Sequence, residues 1–366
     1  MKNIQWLTSD CFIDVDLPIL TELCKYYNIT WYIVLGVNNS IDYTKLVNSR
    51  CNGLKIKIHY VKLKYRMSNP LIIKEYFYLV KKTQKSDALT VYYNISGMPY
   101  LFTCLYPFIN KNKTIIAMHN VETPKGASHY RIAKIYNYIT KTLYKNFQVF
   151  SISQLNLLKK TYPNKNILYA PLALKNFGNS TKSKSNILTF LFFGYIREYK
   201  RVDVLIEAAQ KVYNKTKINF KVCIAGSCSN WSIYEKLIVN PEHFDLKIYN
   251  IPNEEIPDLF TSAHYFVMPY QGIAQSGAMS VALHYNIPII ASNLPAFHEF
   301  MIDNKTGYFI DVANIESLSI VMEKIVKGES INYDELCKNE FDFVKRILSI
   351  EAITENYIKY INNLDF

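Results

Sequence analysis

The sequence lacks the marks of a membrane-spanning, secreted or metal-cluster protein. No stretch reaches the roughly 18 uninterrupted apolar residues that a membrane helix needs. Asp10 interrupts the start of the chain, so no signal peptide is expected. The seven cysteines are scattered and form no C-x-x-C pair, which argues against zinc and redox motifs. Reduced thiols in a cytoplasmic protein fit this pattern, and no metal or cofactor is expected.

Acidic residues are scarce in the first half of the 366-residue chain. Residues 1–178 hold 24 lysines and arginines against 8 acidic residues, whereas residues 179–366 hold 18 against 22. A bias of one sign in one half suggests an anionic partner, either nucleic acid or an anionic membrane surface. A solvated lysine-rich surface is the alternative. The basic residues match no recognised nucleic-acid motif, so no nucleic-acid partner is expected.

Apolar strand patterns alternate with helical patterns along both halves, which predicts βαβ units and parallel sheets. A polar segment rich in Gly, Ser, Thr and Lys at residues 177–186 is typical of a linker. We therefore expect an α/β protein with two doubly wound, Rossmann-like domains facing each other across a cleft. The expected domains are residues 1–178, residues 179–345 and a C-terminal helix, 346–366, that crosses back to the first domain.

The chain is organised around residues 268–292, which are expected to form strand, loop, helix and strand. This order places Gln275, Ser276 and Gly277 where a helix begins at the carboxyl end of a strand. Free N–H groups and the positive end of the helix dipole favour an anion there, and phosphate fits best. The alternative is an ordinary crossover in which Ser276 only caps the helix. Asn286 is expected to stop the helix.

A second segment, from Gly194 to Lys200, also follows a buried strand. Gly194 allows the turn, and Arg197 and Lys200 then lie at the mouth of the same sheet. Two cations beside a helix N-terminus can neutralise a departing diphosphate, so no metal is required. We identify no D-x-D pair suited to Mg²⁺ beside this loop. Surface cations on an ordinary loop are the alternative.

His119 ends a buried strand in the first half and is a candidate catalytic residue, although a lone histidine is more often structural. Asp10, Asp14 and Asp16 lie in the first βα loop. Asp16 is expected to cap the following helix, and another of the three to contact a substrate hydroxyl.

The second half resembles the GT-B glycosyltransferases of family 4, the retaining type related to glycogen synthase. The resemblance covers residues 187–312 and rests on FLFFGYIREYKRVDVLIEA, SAHYFVMPY and HYNIPIIASNLPAFHEFMIDNKTGYFI. It implies a GT-B fold and metal-independent, retaining transfer by a hexosyltransferase. It also implies a UDP- or GDP-sugar as co-substrate. The catalytic residues it implies are His119, Arg197 and Lys200; the donor-binding residues are Gly194, Asn250, Gln275, Ser276, Gly277, Ala278 and Glu299; the acceptor-binding residues are Asp10, Asp14 and Asn120.

Three positions depart from the family pattern. Its Glu-x7-Glu pair falls at Ile273 and Val281, so both carboxylates are missing, and Tyr195 replaces the Arg that often follows the Gly. From the resemblance as a whole we still expect a transferase that acts on a saccharide or lipid-linked glycan in surface polysaccharide assembly. A degenerate GT-B subunit that supports a partner transferase remains the first alternative, and a nucleic-acid-binding protein the second. The basic half predicts peripheral binding to the inner face of an anionic membrane.

Overall fold

The computed structural model describes residues 1–37, 44–66, 69–95, 99–123, 130–272 and 276–364. The chain forms two compact units. The first combines Met1–Ala173 with Leu348–Phe366, and the second is Leu174–Ile347.

The first unit contains a seven-stranded parallel sheet with helices between its strands. Its strands are β1 (Lys2–Ser9), β2 (Tyr27–Leu35), β3 (Ile56–Lys62), β4 (Thr90–Asn94), β5 (Thr114–Met118), β6 (Asn146–Val149) and β7 (Asn166–Tyr169). Its helices before the second unit are α1 (Ile13–Leu23), α2 (Thr44–Cys51), α3 (Ile72–Gln84), α4 (Pro99–Cys104), α5 (Tyr130–Leu143) and α6 (Ile152–Thr161). The strand order is β3-β2-β1-β4-β5-β6-β7.

The second unit repeats this plan around a six-stranded parallel sheet. Its strands are β8 (Thr189–Phe193), β9 (Lys221–Ala225), β10 (Phe244–Lys247), β11 (Tyr265–Met268), β12 (Ile289–Ser292) and β13 (Gly307–Ile310). Its helices are α7 (Val202–Thr216), α8 (Ser232–Glu235), α9 (Ile256–Ser262), α10 (Gly277–His284), α11 (Ile315–Val326) and α12 (Tyr333–Ile347). The strand order is β10-β9-β8-β11-β12-β13.

The central strands are apolar on both faces because helices cover both sides of a parallel sheet. All five residues of β5 and all four of β11 are buried. Pro269 follows β11 directly, and proline cannot donate a ladder hydrogen bond, so the strand ends there. Asn286 lies just after α10 with φ 51°, the left-handed conformation that ends a helix, as the sequence predicted.

The last helix, α13 (Ile350–Asn362), belongs to the first unit. It packs against α1 and β7. The fully buried Gln148 of β6 donates a 2.7 Å hydrogen bond to the hydroxyl of Tyr357, and the Tyr360 hydroxyl donates to the carbonyl of Asn166 at 2.9 Å. The chain therefore completes the core of its first unit with its final helix.

Candidate functional site

The strand order of the second unit defines where a ligand can enter its sheet. The chain runs from β8 outward through β9 to β10, and then returns to place β11 on the other side of β8. The loops after β8 and β11 therefore leave in opposite directions and open a crevice at their carboxyl ends. The segments predicted to hold phosphate, Gly194 to Lys200 and Ser276 to Ala278, follow these two strands.

Two glycines let the strand ends of this sheet approach closely. Gly194 and Gly226 follow β8 and β9 with φ of 103° and 149°, values that other residues rarely adopt. A Cβ on Gly194 would lie 3.0 Å from Lys200 Nζ. A Cβ on Gly226 would collide with the carbonyl of Gly194. Because Gly194 has no side chain, the ammonium of Lys200 can lie directly over its backbone.

Lys200 lies between the carboxyl ends of β8 and β11. Its Nζ is 5.6 Å from the ring centroid of Tyr270, which follows β11. The Gln271 N–H donates a 2.8 Å hydrogen bond to the Tyr199 carbonyl, which ties the two loops together. Burial, followed by the charge of Arg197, lowers the pKa of Lys200 to about 8. The protein thus holds a partly desolvated cation at the mouth of the crevice.

Arg197 is exposed, and its guanidinium lies 5.1 Å from the ring centroid of Tyr195. The next arginine behaves differently, since Arg201 makes a bidentate pair with Asp203 at 2.8–3.1 Å. Across the described ranges, neither Arg197 nor Lys200 has an acidic side chain within 4 Å. Two neighbouring cations without acidic partners are suited to an anion.

Helix α10 begins at the other side of the crevice. The Ser276 side chain accepts a 3.2 Å hydrogen bond from the Met279 N–H, so the serine is the N-cap. Its O–H can still donate, and the first helical N–H groups, at Gly277 and Ala278, have no partner within the helix. Gln275 lies outside the described residues. The capping role and an anion site are compatible here.

Lys175 was not identified from the sequence. Its Cε lies 3.8 Å from the position of a Cβ on Gly277, and its N–H donates to the Ser280 Oγ at 2.9 Å. A third lysine therefore lies beside the start of α10. It lies just before the polar segment of residues 177–186 and outside the motifs that carry the resemblance, so no sequence signal marked it.

Two further residues were predicted to bind the donor, Asn250 and Glu299. Asn250 is exposed and follows β10, which β9 separates from β8. Glu299 follows β12 with a partly buried side chain. Their roles in donor binding stay predictions.

In the first unit the corresponding crevice lies between β1 and β4. Asp10 follows β1, and its Oδ2 accepts a 2.9 Å hydrogen bond from the Gly36 N–H, so it joins the ends of β1 and β2. His119 follows β5. Its ring is stacked between Phe12 and Phe150, with centroids 4.0 and 4.3 Å away. Burial lowers the pKa of His119 to about 4, so its imidazole is neutral at physiological pH.

The expectation that Asp16 caps α1 is wrong. The helix begins at Ile13 with Phe12 as N-cap, and Asp16 lies inside it, 1% exposed. Burial raises the pKa of Asp16 to about 7. Asp14 and Asp16 have D-x-D spacing, but three protein donors occupy the Asp16 carboxylate. Asp14 and Asn120 are exposed.

Over the described ranges, no three His, Cys, Asp or Glu side chains group so as to hold a metal ion. Among the described helices, none combines the length and the apolar character needed to cross a membrane.

Comparison with known proteins gives the class. Residues 175–340, which coincide closely with the second unit, match the family model described as glycosyl transferases group 1. No curated protein sequence matches the chain.

Solved structures match over the whole length at low sequence identity. A glycosyltransferase from Rickettsia africae has 14% identity and a TM-score of 0.73, with 99% of this chain and 98% of that one covered. Anabaena HepE in complex with UDP and glucose has 10% identity, a TM-score of 0.71 and complete coverage of both chains. A Staphylococcus aureus TarM variant, in complex with UDP, Fondaparinux and alpha-GlcNAc-glycerol, has 14% identity, a TM-score of 0.66, and 99% and 100% coverage. The chain has the GT-B fold, and with the family match it is a glycosyltransferase.

Proposed function

We propose that this protein transfers a sugar from a nucleoside diphosphate sugar, UDP- or GDP-linked, to a saccharide or lipid-linked glycan. The anomeric carbon keeps its configuration and no metal takes part. HepE and TarM, whose structures contain UDP, support a nucleotide donor, and the TarM complex supports a glycan acceptor.

The observation that carries the proposal is the position of Lys200. Its ammonium lies over bare backbone at Gly194, beside Tyr270, at the switch point of the second sheet. A pyrophosphate between Lys200 and the start of α10 would receive charge-assisted hydrogen bonds on one side and helix N–H groups on the other.

The mechanism follows from where charge develops. As the bond between the anomeric carbon and the diphosphate oxygen breaks, the bonding electrons go to that oxygen. Lys200, Arg197 and the amides at Gly277 and Ala278 stabilise the negative charge that builds there. These groups supply the compensating positive charge that a divalent cation supplies in metal-dependent transferases. The acceptor hydroxyl attacks the same face and passes its proton to the departing phosphate, which is the route that the family resemblance implies.

In the first unit, His119 contacts the donor sugar or positions the acceptor, and Asp10, Asp14 and Asn120 contact acceptor hydroxyls. Asp10 retains lone pairs beyond those that accept the Gly36 and Cys11 N–H groups.

A screen of sugar nucleotides by thermal shift, followed by a transfer assay with the best binder, tests the proposal. A ligand that binds only the native state raises the melting temperature. Stabilisation by one UDP- or GDP-sugar and release of the diphosphate are expected. Lack of stabilisation by every sugar nucleotide would contradict the proposal.

A supporting subunit without activity is a second candidate. Val281, which aligns with the second family glutamate, is buried in α10, so no carboxylate stands there to hold a ribose. Donor binding without turnover, across all acceptors tested, would favour this candidate.

We also propose reversible binding of the first unit to an anionic membrane surface. Eight lysines and one arginine on β3, α3 and the segments beside them are exposed. Each contributes about 1 kcal/mol of attraction near such a surface. Sedimentation with phosphatidylserine vesicles should be salt-sensitive and should fall when Lys81, Lys82 and Lys85, at the end of α3, are changed to Glu. Retention in the supernatant at low salt would leave these lysines as solubilising residues. The exposed basic residues of this proposed membrane-binding surface are Lys55, Lys57, Lys62, Lys64, Arg66, Lys74, Lys81, Lys82 and Lys85.

A further inference from the structure

A chain of buried polar side chains runs from the first sheet to His119. Its centre is Asp16 of α1. Asp16 Oδ2 accepts hydrogen bonds from Thr8 Oγ1 at 2.6 Å and from Trp6 Nε1 at 2.9 Å, and its Oδ1 accepts from Asn94 Nδ2 at 2.9 Å. None of these side chains is more than 1% exposed, so water does not replace any partner.

The direction of each hydrogen bond follows from the side chains that can only donate. The Trp31 indole donates to Thr8 Oγ1 at 2.8 Å, so the Thr8 hydroxyl directs its own hydrogen to Asp16. The Trp6 indole also can only donate. Asp16 therefore accepts from both, and an ionised carboxylate accepts from the Asn94 amide as well. This fixes the amide of Asn94 with its nitrogen toward Asp16 and its oxygen on the other side.

The oxygen of Asn94 then determines the state of His119. Asn94 Oδ1 lies 2.9 Å from His119 Nε2. An amide oxygen can only accept, so Nε2 carries the single proton of the neutral imidazole and Nδ1 keeps its lone pair. In the described part of the chain, Nδ1 makes no hydrogen bond. The stacking of the ring between Phe12 and Phe150 holds its plane.

We propose that Asp16 and Asn94 are positioning residues that hold His119 as its Nε2–H tautomer, so that Nδ1 accepts a hydrogen bond from a sugar hydroxyl. This inference rests on the proposed function, because it gives His119 a sugar to contact. The opposite tautomer or an imidazolium would present an N–H at Nδ1 instead. Asp16 and Asn94 act through His119 and touch no substrate themselves.

Acid should reverse the arrangement. Burial raises the pKa of Asp16 to about 7, so below that pH it takes up a proton that it must donate. The two indoles cannot accept it, and Thr8 could accept it only by giving up its own hydrogen bond to Asp16, whereas Asn94 accepts it by turning its oxygen toward Asp16. Its nitrogen then donates to Nε2, and the imidazole proton moves to Nδ1. The other titratable groups near Asp16 are Asp14 on its own helix, Tyr92 on β4 and Tyr357 on α13.

Asp16→Asn isolates this effect with little change in shape. The new amide oxygen still accepts from Trp6 and Thr8, which leaves its nitrogen facing Asn94. Asn94 must then turn its oxygen toward that nitrogen and donate to Nε2. Long-range ¹H–¹⁵N NMR of ¹⁵N-histidine-labelled protein, with the His119 signals assigned by His119→Ala, reports which nitrogen is protonated. At pH 8 we expect Nε2–H in the wild type and Nδ1–H in Asp16→Asn.

Kinetics test whether the tautomer matters. Asp16→Asn should lower kcat by about 10- to 100-fold, the range that follows from leaving one polar group without its partner. The rise in melting temperature that the nucleoside diphosphate alone produces should stay unchanged, because the proposed diphosphate contacts lie in the second unit, which the substitution leaves untouched. In a His119→Ala background, Asp16→Asn should have no further effect on kcat.

Asn146→Ala is the matched control. Asn146 is a buried amide of the same sheet, but it donates to the backbone carbonyls of residues 111, 112 and 114. It should lose stability and keep both the His119 tautomer and, per folded molecule, kcat.

Three results would overturn the proposal. The wild-type spectrum could show a protonated Nδ1, and this measurement needs no variant to fold. Asp16→Asn could leave the tautomer unchanged, or it could lower kcat equally without His119. If no nucleotide sugar is turned over at all, the proposed function fails, and the wild-type and Asp16→Asn spectra alone decide whether Asp16 and Asn94 set the tautomer.

Discussion

Raising the pH should weaken use of the donor through Lys200. Burial and the charge of Arg197 lower the pKa of this lysine to about 8. An ordinary lysine, with a pKa of about 10.4, stays charged throughout the range of most assays. With the lowered value, Lys200 is about 90% charged at pH 7 and about 10% charged at pH 9.

The expected profile follows from this titration. A diphosphate is attracted to the ammonium and not to the neutral amine, so the titration of Lys200 should leave kcat/KM for the donor unchanged up to about pH 7.5; any fall below pH 7 belongs to Asp16 and not to Lys200. Above pH 8 kcat/KM should fall, approaching a tenfold loss for each pH unit. Measurement of kcat/KM between pH 6 and 10 at constant ionic strength gives the profile of the free enzyme.

Lys200→Arg assigns the loss of activity to this residue. A guanidinium stays charged across the range, so the fall above pH 8 should disappear, even though the level of activity drops because arginine has a different shape. Lys236→Arg, at an exposed position after α8, is the matched control and should keep the wild-type profile. A wild-type profile that stays flat to pH 10, or a fall that persists in Lys200→Arg, would refute the assignment.

Three further predictions concern charge. Arg197→Ala should lower kcat/KM by about 100-fold, the scale of losing one preorganised donor, and wild-type kinetics would remove Arg197 from the mechanism. EDTA should leave the rate unchanged, whereas an absolute need for Mn²⁺ or Mg²⁺ would contradict the proposed class. Glu340 is 1% exposed, and in the described part of the chain neither of its carboxylate oxygens accepts a hydrogen bond. Burial raises its pKa. The folded protein is therefore destabilised relative to the unfolded chain as the pH rises above about 4.5, where this glutamate ionises in the unfolded state. Glu340→Gln should therefore raise the Tm at pH 8 by about 2–4 °C per kcal/mol relieved and much less at pH 4.5, and equal shifts at both would refute the explanation.

The elements of the second unit could largely be predicted from the sequence because their signals are local. A buried apolar run ending at Gly194 gave β8, and Pro269 marked the end of β11. Short elements with weaker patterns, such as β13 here and β7 in the first unit, could not be identified in this way. The fold class was confirmed because alternation of strands and helices leaves few possible architectures.

The strand order could not be predicted in the same way. The adjacency of β8 and β11 brings together Lys200 and Tyr270, which are 70 positions apart, and no local pattern encodes that pairing. Sequence reasoning therefore identified Lys200 as a candidate, but it did not predict that the ring of Tyr270 would lie beside its ammonium.

Asp16 shows a different limit. An acidic residue at the start of an amphipathic helix is more often a cap than a buried acceptor, so local reasoning made Asp16 the cap of α1. Its partners Trp6 and Thr8 are close in sequence, but Asn94 is 78 positions away and is itself joined to His119 only through the sheet. Burying a carboxylate is costly unless several donors satisfy it, and here three do. A carboxylate that only caps a helix can remain exposed to water, so capping does not explain the burial of Asp16. Asp16 is hydrogen-bonded to Asn94, and Asn94 to His119. The role that best accounts for this buried carboxylate is therefore to set the tautomer of His119.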